Sequence, residues 1–220
     1  MDRKMISHRI RDILGNLSRL SSSLHAMDSL DIQRYPDNYE TISTEAALRA
    51  EKTACQLRSL LYASTGINRE EYLVKAADTH GIDIRFEDGV FAITLPRLLP
   101  KKKGRQSGLF LLDPLGAALS HYAGEHPLPR FRECVVCICH VYDHGLPECF
   151  LPDYDNLQQK QLLDMIALYV MADDSCLLCD AYNTTEYGDH ACTRICIMKK
   201  DRFTDWLQGR ENSLKNISDF

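Results

Sequence analysis

Between residues 5 and 30, apolar side chains fall at Ile6, Ile10, Ile13, Leu17, Leu20, Leu24 and Met27, with spacings of four and three over three heptads. That period predicts one long amphipathic helix. Arg3, Arg9, Arg11, Asp12, Arg19 and a serine run form its polar face, and Gly15 weakens its middle. The stretch DIQRYPDNYETIS, residues 31–43, breaks the pattern around Pro36-Asp37-Asn38 and reads as a loop. A second helix is expected from Ser43 or Thr44 to about Thr65-Gly66, with Glu45 favourable in its first turn and a narrow seam of Ala47, Ala50, Ala54, Leu57 and Leu61. The two helices read as an antiparallel hairpin. Its seam either packs on the rest of the chain or makes a dimer or partner surface.

A third helix is expected from Asn68 or Arg69 to His80, with Tyr72, Leu73, Ala76 and Ala77 inward and Gly81 as its stop. The period then changes from helical to alternating. Ile82-Asp83-Ile84-Arg85-Phe86 and Val90–Leu95 read as strands joined by a turn at Glu87-Asp88-Gly89. Leu109–Leu112 reads as a short strand, and Asp113-Pro114 as the cap and first position of a helix ending at Gly124. Phe131–Tyr142 is the most strand-like segment and is expected at the centre of a sheet; Asp143–Pro147 is a turn. Residues 152–156 look extended, and Leu162, Leu163, Ile166, Val170 and Met171 mark a helix after them. Cys176–Asn183 and Ala191–Met198 read as a hairpin, Phe203, Trp206 and Leu207 as a closing helix, and the chain from Gly209 as a polar tail. The fold class expected is α+β: a mixed sheet with packed helices, preceded by a helical hairpin. The regions are 1–80, 81–208 and a tail, 209–220.

Composition alters this picture little. The 220 residues are 45% hydrophobic and 26% charged, ordinary for a soluble domain. No apolar run is long enough to span a bilayer, and the charged N-terminus does not read as a signal peptide, so a cytoplasmic protein with no membrane partner is expected. The net charge of −5 argues against coating nucleic acid through bulk charge and leaves room for a local basic patch. Nine cysteines in such a chain are expected reduced. Cys134-Val-Val-Cys137 and Cys176-Leu-Leu-Cys179 have zinc spacing but sit in strand-like runs, where residues three apart face opposite sides. Buried free thiols are the expected reading. His140, Asp143 and His144 flank a turn, and turn roles are expected for them.

Two acidic groups carry the candidate chemistry. In Pro152-Asp153-Tyr154-Asp155-Asn156, two carboxylates separated by one residue share a face if the segment is extended. Asp173-Asp174 lies beyond the following helix. A helix of about 15 residues is about 22 Å long, so the two groups meet only if the chain turns back after it. A strand starting near Ser175 and returning beside the first is expected to do this, drawing three carboxylates together. Hard divalent cations take such oxygen-rich sites, and metal-assisted phosphodiester cleavage uses them. The plain alternative is that these residues are caps and loop positions. Upstream, Arg97, Lys101, Lys102, Lys103 and Arg105 lie in a loop with two prolines and a glycine, either a solvated loop or an arm that neutralises phosphates.

The string D-x-D-N-L, a lysine, L-L-D and then D-D-S resembles the signature of RusA-type Holliday junction resolvases, over about residues 82–200. The resemblance implies a Mg²⁺- or Mn²⁺-dependent endonuclease acting on branched DNA as a homodimer. It implies metal binding and catalysis by Asp153, Asp155 and Asp174, an assisting Lys160, and phosphate contacts from Lys101, Lys102, Lys103 and Arg105. Lys160 comes one residue later than the pattern, with Gln159 in the usual place. The alternative expectation is a catalytically inactive RusA-like DNA-binding or protein-interaction module that uses the helical hairpin.

Overall fold

The computed structural model describes residues 2–99, 107–145, 154, 157, 159–173, 175 and 177–218. The fold is α+β, and the chain divides into two compact units, Met1–Arg69 and Glu70–Phe220.

The first unit is a hairpin of α1 (Arg3–Ser29) and α2 (Pro36–Ser64). The break between them is shorter than the loop read from residues 31–43. Pro36 opens α2, where its missing N–H costs nothing, and Asp37 favours the helix N-terminus. The inward positions also differ from those expected. Ile6, Ile13, Leu20 and Met27 of α1 face inward with Asn16 and Ser23, whereas Ile10, Leu17 and Leu24 are exposed. On α2 the seam is shifted by one residue: Ala46, Thr53, Gln56 and Leu60 are covered, and Ala47, Ala50, Ala54 and Leu57 are exposed. A polar pair, Asn16 Nδ2 donating to Gln56 Oε1 at 2.9 Å, sits in this seam and sets its register.

The second unit is a five-stranded sheet with helices. It comprises α3 (Arg69–His80), β1 (Asp83–Glu87), β2 (Val90–Leu95), α4 (Ser107–Glu125), β3 (Cys134–Asp143), α5 (Lys160–Val170), β4 (Cys179–Gly188), β5 (Cys192–Lys199) and α6 (Phe203–Ser218). The strand order is β1-β2-β5-β3-β4. All pairs are antiparallel except β3 with β4. Asp88 and Gly89 both have positive φ, 48° and 76°, as a type I′ turn requires, and this turn joins β1 to β2.

Three expectations are corrected. Leu109–Leu112 belongs to α4, which begins at Ser107 and carries Pro114 inside it. The segments 176–183 and 191–198 are not a hairpin: β3 lies between β4 and β5. Residues 189–191 cross that gap, which three extended residues span at about 10 Å. The region after Gly209 continues α6 to Ser218.

β3 has neighbours on both edges, and every residue from Cys134 to Tyr142 is buried. On one face Cys134, Val136 and Ile138 join Phe91, Ile93, Ile195 and Ile197 beneath Leu115 and Leu119 of α4 and Leu162, Ile166 and Val170 of α5. On the other face Val135, Cys137 and Met198 pack with Tyr182, Phe203 and Trp206. Among the described residues no helix is long and apolar enough to cross a membrane.

Candidate functional site

On the face covered by α4 and α5, the apolar layer gives way to polar groups toward the C-terminal ends of β3 and β4. His140 follows Ile138 on that face and is fully buried. Across the parallel register, Thr185 pairs with His140 and Asn183 with Ile138. Tyr154 lies over this pair. Its ring stacks on His140, with centroids 5.2 Å apart, and its hydroxyl shares a short hydrogen bond with Thr185 Oγ1. Gln159, just before α5, donates from Nε2 to Asn183 Oδ1 at 2.9 Å. Among the described residues no hydrogen bond of sound geometry reaches either ring nitrogen of His140. Burial lowers the proton affinity of the imidazole, and the neighbouring Asn183 only partly opposes this.

His140 gives the fold a pH dependence. The folded side chain titrates below its ordinary value, so the unfolded chain takes up this proton first as pH falls. Stability from this group is intact above about pH 6.5 and declines below it, by at most about 1.4 kcal/mol per pH unit. His140→Phe keeps the ring stack and removes the titration. Chemical denaturation between pH 5 and 7 is expected to show a shallower acid loss in the variant; equal slopes would exclude the effect.

The acidic motif meets this cluster through its middle residue. Asp153, Asp155 and Asp174 themselves lie outside the described residues, as do Lys101, Lys102, Lys103 and Arg105. Their described neighbours are informative. Tyr154, between the first two acids, sits at the C-terminal end of the β3–β4 pair. At the other end of α5, Met171 bridges Phe131, ahead of β3, and Ala172 N–H donates to the Phe131 carbonyl at 2.7 Å. Asp173 comes directly after and shares a shallow cavity with Arg130. Ser175 then accepts from the backbone N–H of Cys179, the first residue of β4. The chain does return beside β3, but from the far end. The neighbours of the two acidic groups are thus separated by the length of α5, about 16 Å for a helix of eleven residues.

Lys160 is the first residue of α5 and is exposed, while Gln159 turns into the polar cluster. A one-residue step rotates a helical side chain by about 100°, which accounts for the difference. Among the described residues no three His, Cys, Asp or Glu side chains gather to hold a metal ion. The neutral Tyr, Thr, Asn and Gln groups around His140 lack the carboxylates that Mg²⁺ or Mn²⁺ prefers, so the described groups alone do not fit such an ion.

The cysteines divide between the two sheet faces. Cys134 joins the core under α4 and α5 and Cys137 the opposite layer. A hydrogen bond with Cys179 and burial together push the Cys134 thiol upward. Burial also raises Cys137 and Cys139 to about 12 and Cys196 to about 11. These thiols stay protonated at neutral pH and are poor nucleophiles. Cys176 lies outside the described residues.

Two further groups emerge only in three dimensions. Arg130, Arg132, Lys199 and Lys200 surround a shallow cavity of about 460 Å³ where β3 begins and β5 ends, with Glu133 and Asp201 among them. Lys200 is paired to Asp180 at 2.8 Å. The basic residues are some seventy positions apart in the chain and adjacent because Cys134 pairs with Lys199. A charge count along the sequence gives no sign of this cluster. On the sheet face opposite α4 and α5, Glu186 Oε1 accepts from Arg210 Nε at 2.5 Å and Glu186 Oε2 from Arg194 Nη1 at 3.2 Å.

No match is found among curated proteins. A family model described as a family of unknown function, DUF6100, matches residues 2–220, and the chain belongs to that family.

Proposed function

We propose that the chain is a RusA-like DNA-binding module that does not hydrolyse DNA through a shared three-carboxylate metal centre. One observation carries the second half of this reading: the described neighbours of the two acidic groups stand at opposite ends of α5. The placement of Gln159 in the polar cluster, with Lys160 exposed, supports it. The first half is supported by the resemblance of the motif string. The order strand, basic run, helix, strand, acidic motif, helix and acidic pair along residues 90–175 keeps that of the resemblance except for the strand expected at Leu109–Leu112, which is part of α4. The basic group at Arg130, Arg132, Lys199 and Lys200 supplies phosphate-binding side chains beyond those of the loop. Such groups position a protein on the backbone without reading sequence.

The test uses a synthetic four-way junction and a linear duplex of the same sequence, with Mn²⁺ and with EDTA. Junction binding without turnover in both conditions is expected. Replacing Arg130, Arg132 and Lys199 together by alanine is expected to weaken binding and to flatten its salt dependence by about 0.9 for each phosphate no longer neutralised. Mn²⁺-dependent nicking that Asp155→Asn abolishes would overturn the silent assignment and restore a metal-dependent nuclease using Asp153, Asp155 and Asp174. Absence of junction binding at low salt would overturn the DNA-binding assignment.

A further inference from the structure

Cys134 and Cys179 stand side by side where β3 and β4 begin. They are partners in the parallel register. The backbone N–H of Cys134 donates to the Leu178 carbonyl at 2.9 Å, which fixes that alignment. Paired residues in a ladder point to the same face, and both thiols pack in the layer beneath α4 and α5. They also touch, since a side-chain hydrogen bond joins them. Adjacent strands lie about 4.7–4.9 Å apart, within the window of about 4.4–6.8 Å between Cα atoms that a disulfide accepts. Neither strand has to move far for the two sulfurs to bond.

The two thiols differ in access. Cys134 is fully buried, on a strand with neighbours on both sides. Cys179 is partly exposed and opens the edge strand β4. It follows a turn in which the N–H groups of Leu178 and Cys179 both reach the Ser175 carbonyl. A reagent from solvent therefore meets Cys179 first. Cys137 and Cys196 are also opposite each other, on β3 and β5. Both of those strands are interior, held by a ladder on each side, and adjust less readily than an edge strand.

We infer that Cys134 and Cys179 form a reversible disulfide by exchange with a low-molecular-weight disulfide, RSSR. The Cys179 thiolate attacks one sulfur of the reagent and expels RS⁻, leaving Cys179 joined to RS. Cys134 then loses its proton and attacks the Cys179 sulfur. The mixed S–S bond breaks, the second RS⁻ leaves, and the Cys134–Cys179 bond forms. The two released thiolates take up the protons that the two cysteines gave. Two protein thiols are thus oxidised, and RSSR is reduced to two RSH. The high proton affinity of Cys134 does not block the second step. It comes first from the hydrogen bond to Cys179, and charge on Cys179 adds to it. The mixed disulfide is neutral at Cys179 and removes both effects, while the Lys200 ammonium continues to favour the Cys134 thiolate. Burial still opposes ionisation, so this step is the slower one. The site is independent of the DNA-binding reading, and its test uses no DNA.

Incubating the native full chain with oxidised glutathione, quenching with acid and mapping the cysteines by alkylation and peptide mass spectrometry tests it. The wild type is expected to lose two of its nine thiols, with a bridged peptide pair linking Cys134 to Cys179, and to regain them with dithiothreitol. Cys134→Ala is expected to stop at a glutathione adduct on Cys179. Cys179→Ser is expected to give neither a bridge nor an adduct at Cys134. The wild-type map needs no variant, so it decides the case even if a variant misfolds. Nine thiols retained by the folded wild type would overturn the inference. So would a bridge from Cys179 to Cys176, or a Cys137–Cys196 bridge formed in place of this one.

Discussion

Replacing Glu186 by alanine is expected to lower the stability of the sheet unit by about 3–5 kcal/mol, the usual cost of removing one partner of a buried ion pair. The side chains of Glu186 and Arg210 are only 11% and 13% exposed, so removing one leaves the charge of the other largely desolvated. The deletion strands the Arg210 guanidinium, whose Nη2 meets the protonated Cys139 thiol at 4.0 Å and whose Cζ lies 6.0 Å from the Trp206 ring centre. Arg194 is half exposed, and its bond to Glu186 adds little. The double variant Glu186→Ala, Arg210→Met removes both charges and is expected to recover most of the loss. Thermal unfolding of the three proteins checks this. A single-variant loss below about 1 kcal/mol would place the pair among ordinary surface bridges.

Phe91→Ala is expected to cost about 3–5 kcal/mol, as large-to-small changes of buried aromatics do. Phe91 is fully buried on β2, meets Tyr122 of α4 edge-on at 6.0 Å, and belongs to the cluster that holds α4 and α5 to the sheet. The loss combines apolar burial, an aromatic pairing and a cavity that a β-sheet closes poorly. Phe86, its cross-strand partner, is 37% exposed and serves as the internal comparison. Phe86→Ala is expected to cost well under half as much. Urea midpoints at constant m-value measure both, and a Phe86→Ala loss equal to that of Phe91→Ala would contradict the assigned core.

The stretches that read correctly from the chain are those where local chemistry and packing agree. The periodicity of residues 3–29 and the run CVVCICHVYD announce a helix and an interior strand without help from elsewhere. Asp88-Gly89 announces a type I′ turn because positive φ at both positions demands such residues. Errors appear where two local readings compete. Leu109–Leu112 is apolar and short, and Pro114 suggests a helix start; α4 absorbs both because Leu111, Leu112, Leu115 and Leu119 pack into the core shared with α5 and the sheet. The hairpin has two apolar stripes per helix, about a quarter turn apart, and spacing does not say which faces the partner helix.

Residue order was enough to set the α+β class, the N-terminal hairpin, a central strand of thiols and branched residues, and the place of an acidic motif before a helix. Strand order and the positions of the two ends of α5 were settled only by folding. A crossover helix between parallel strands returns the chain to the start of the sheet, so the segments before and after α5 lie at opposite ends. An antiparallel return would have brought them together. The choice between those pairings rests on how the whole sheet buries its apolar faces, a sum over distant residues that no local motif contains.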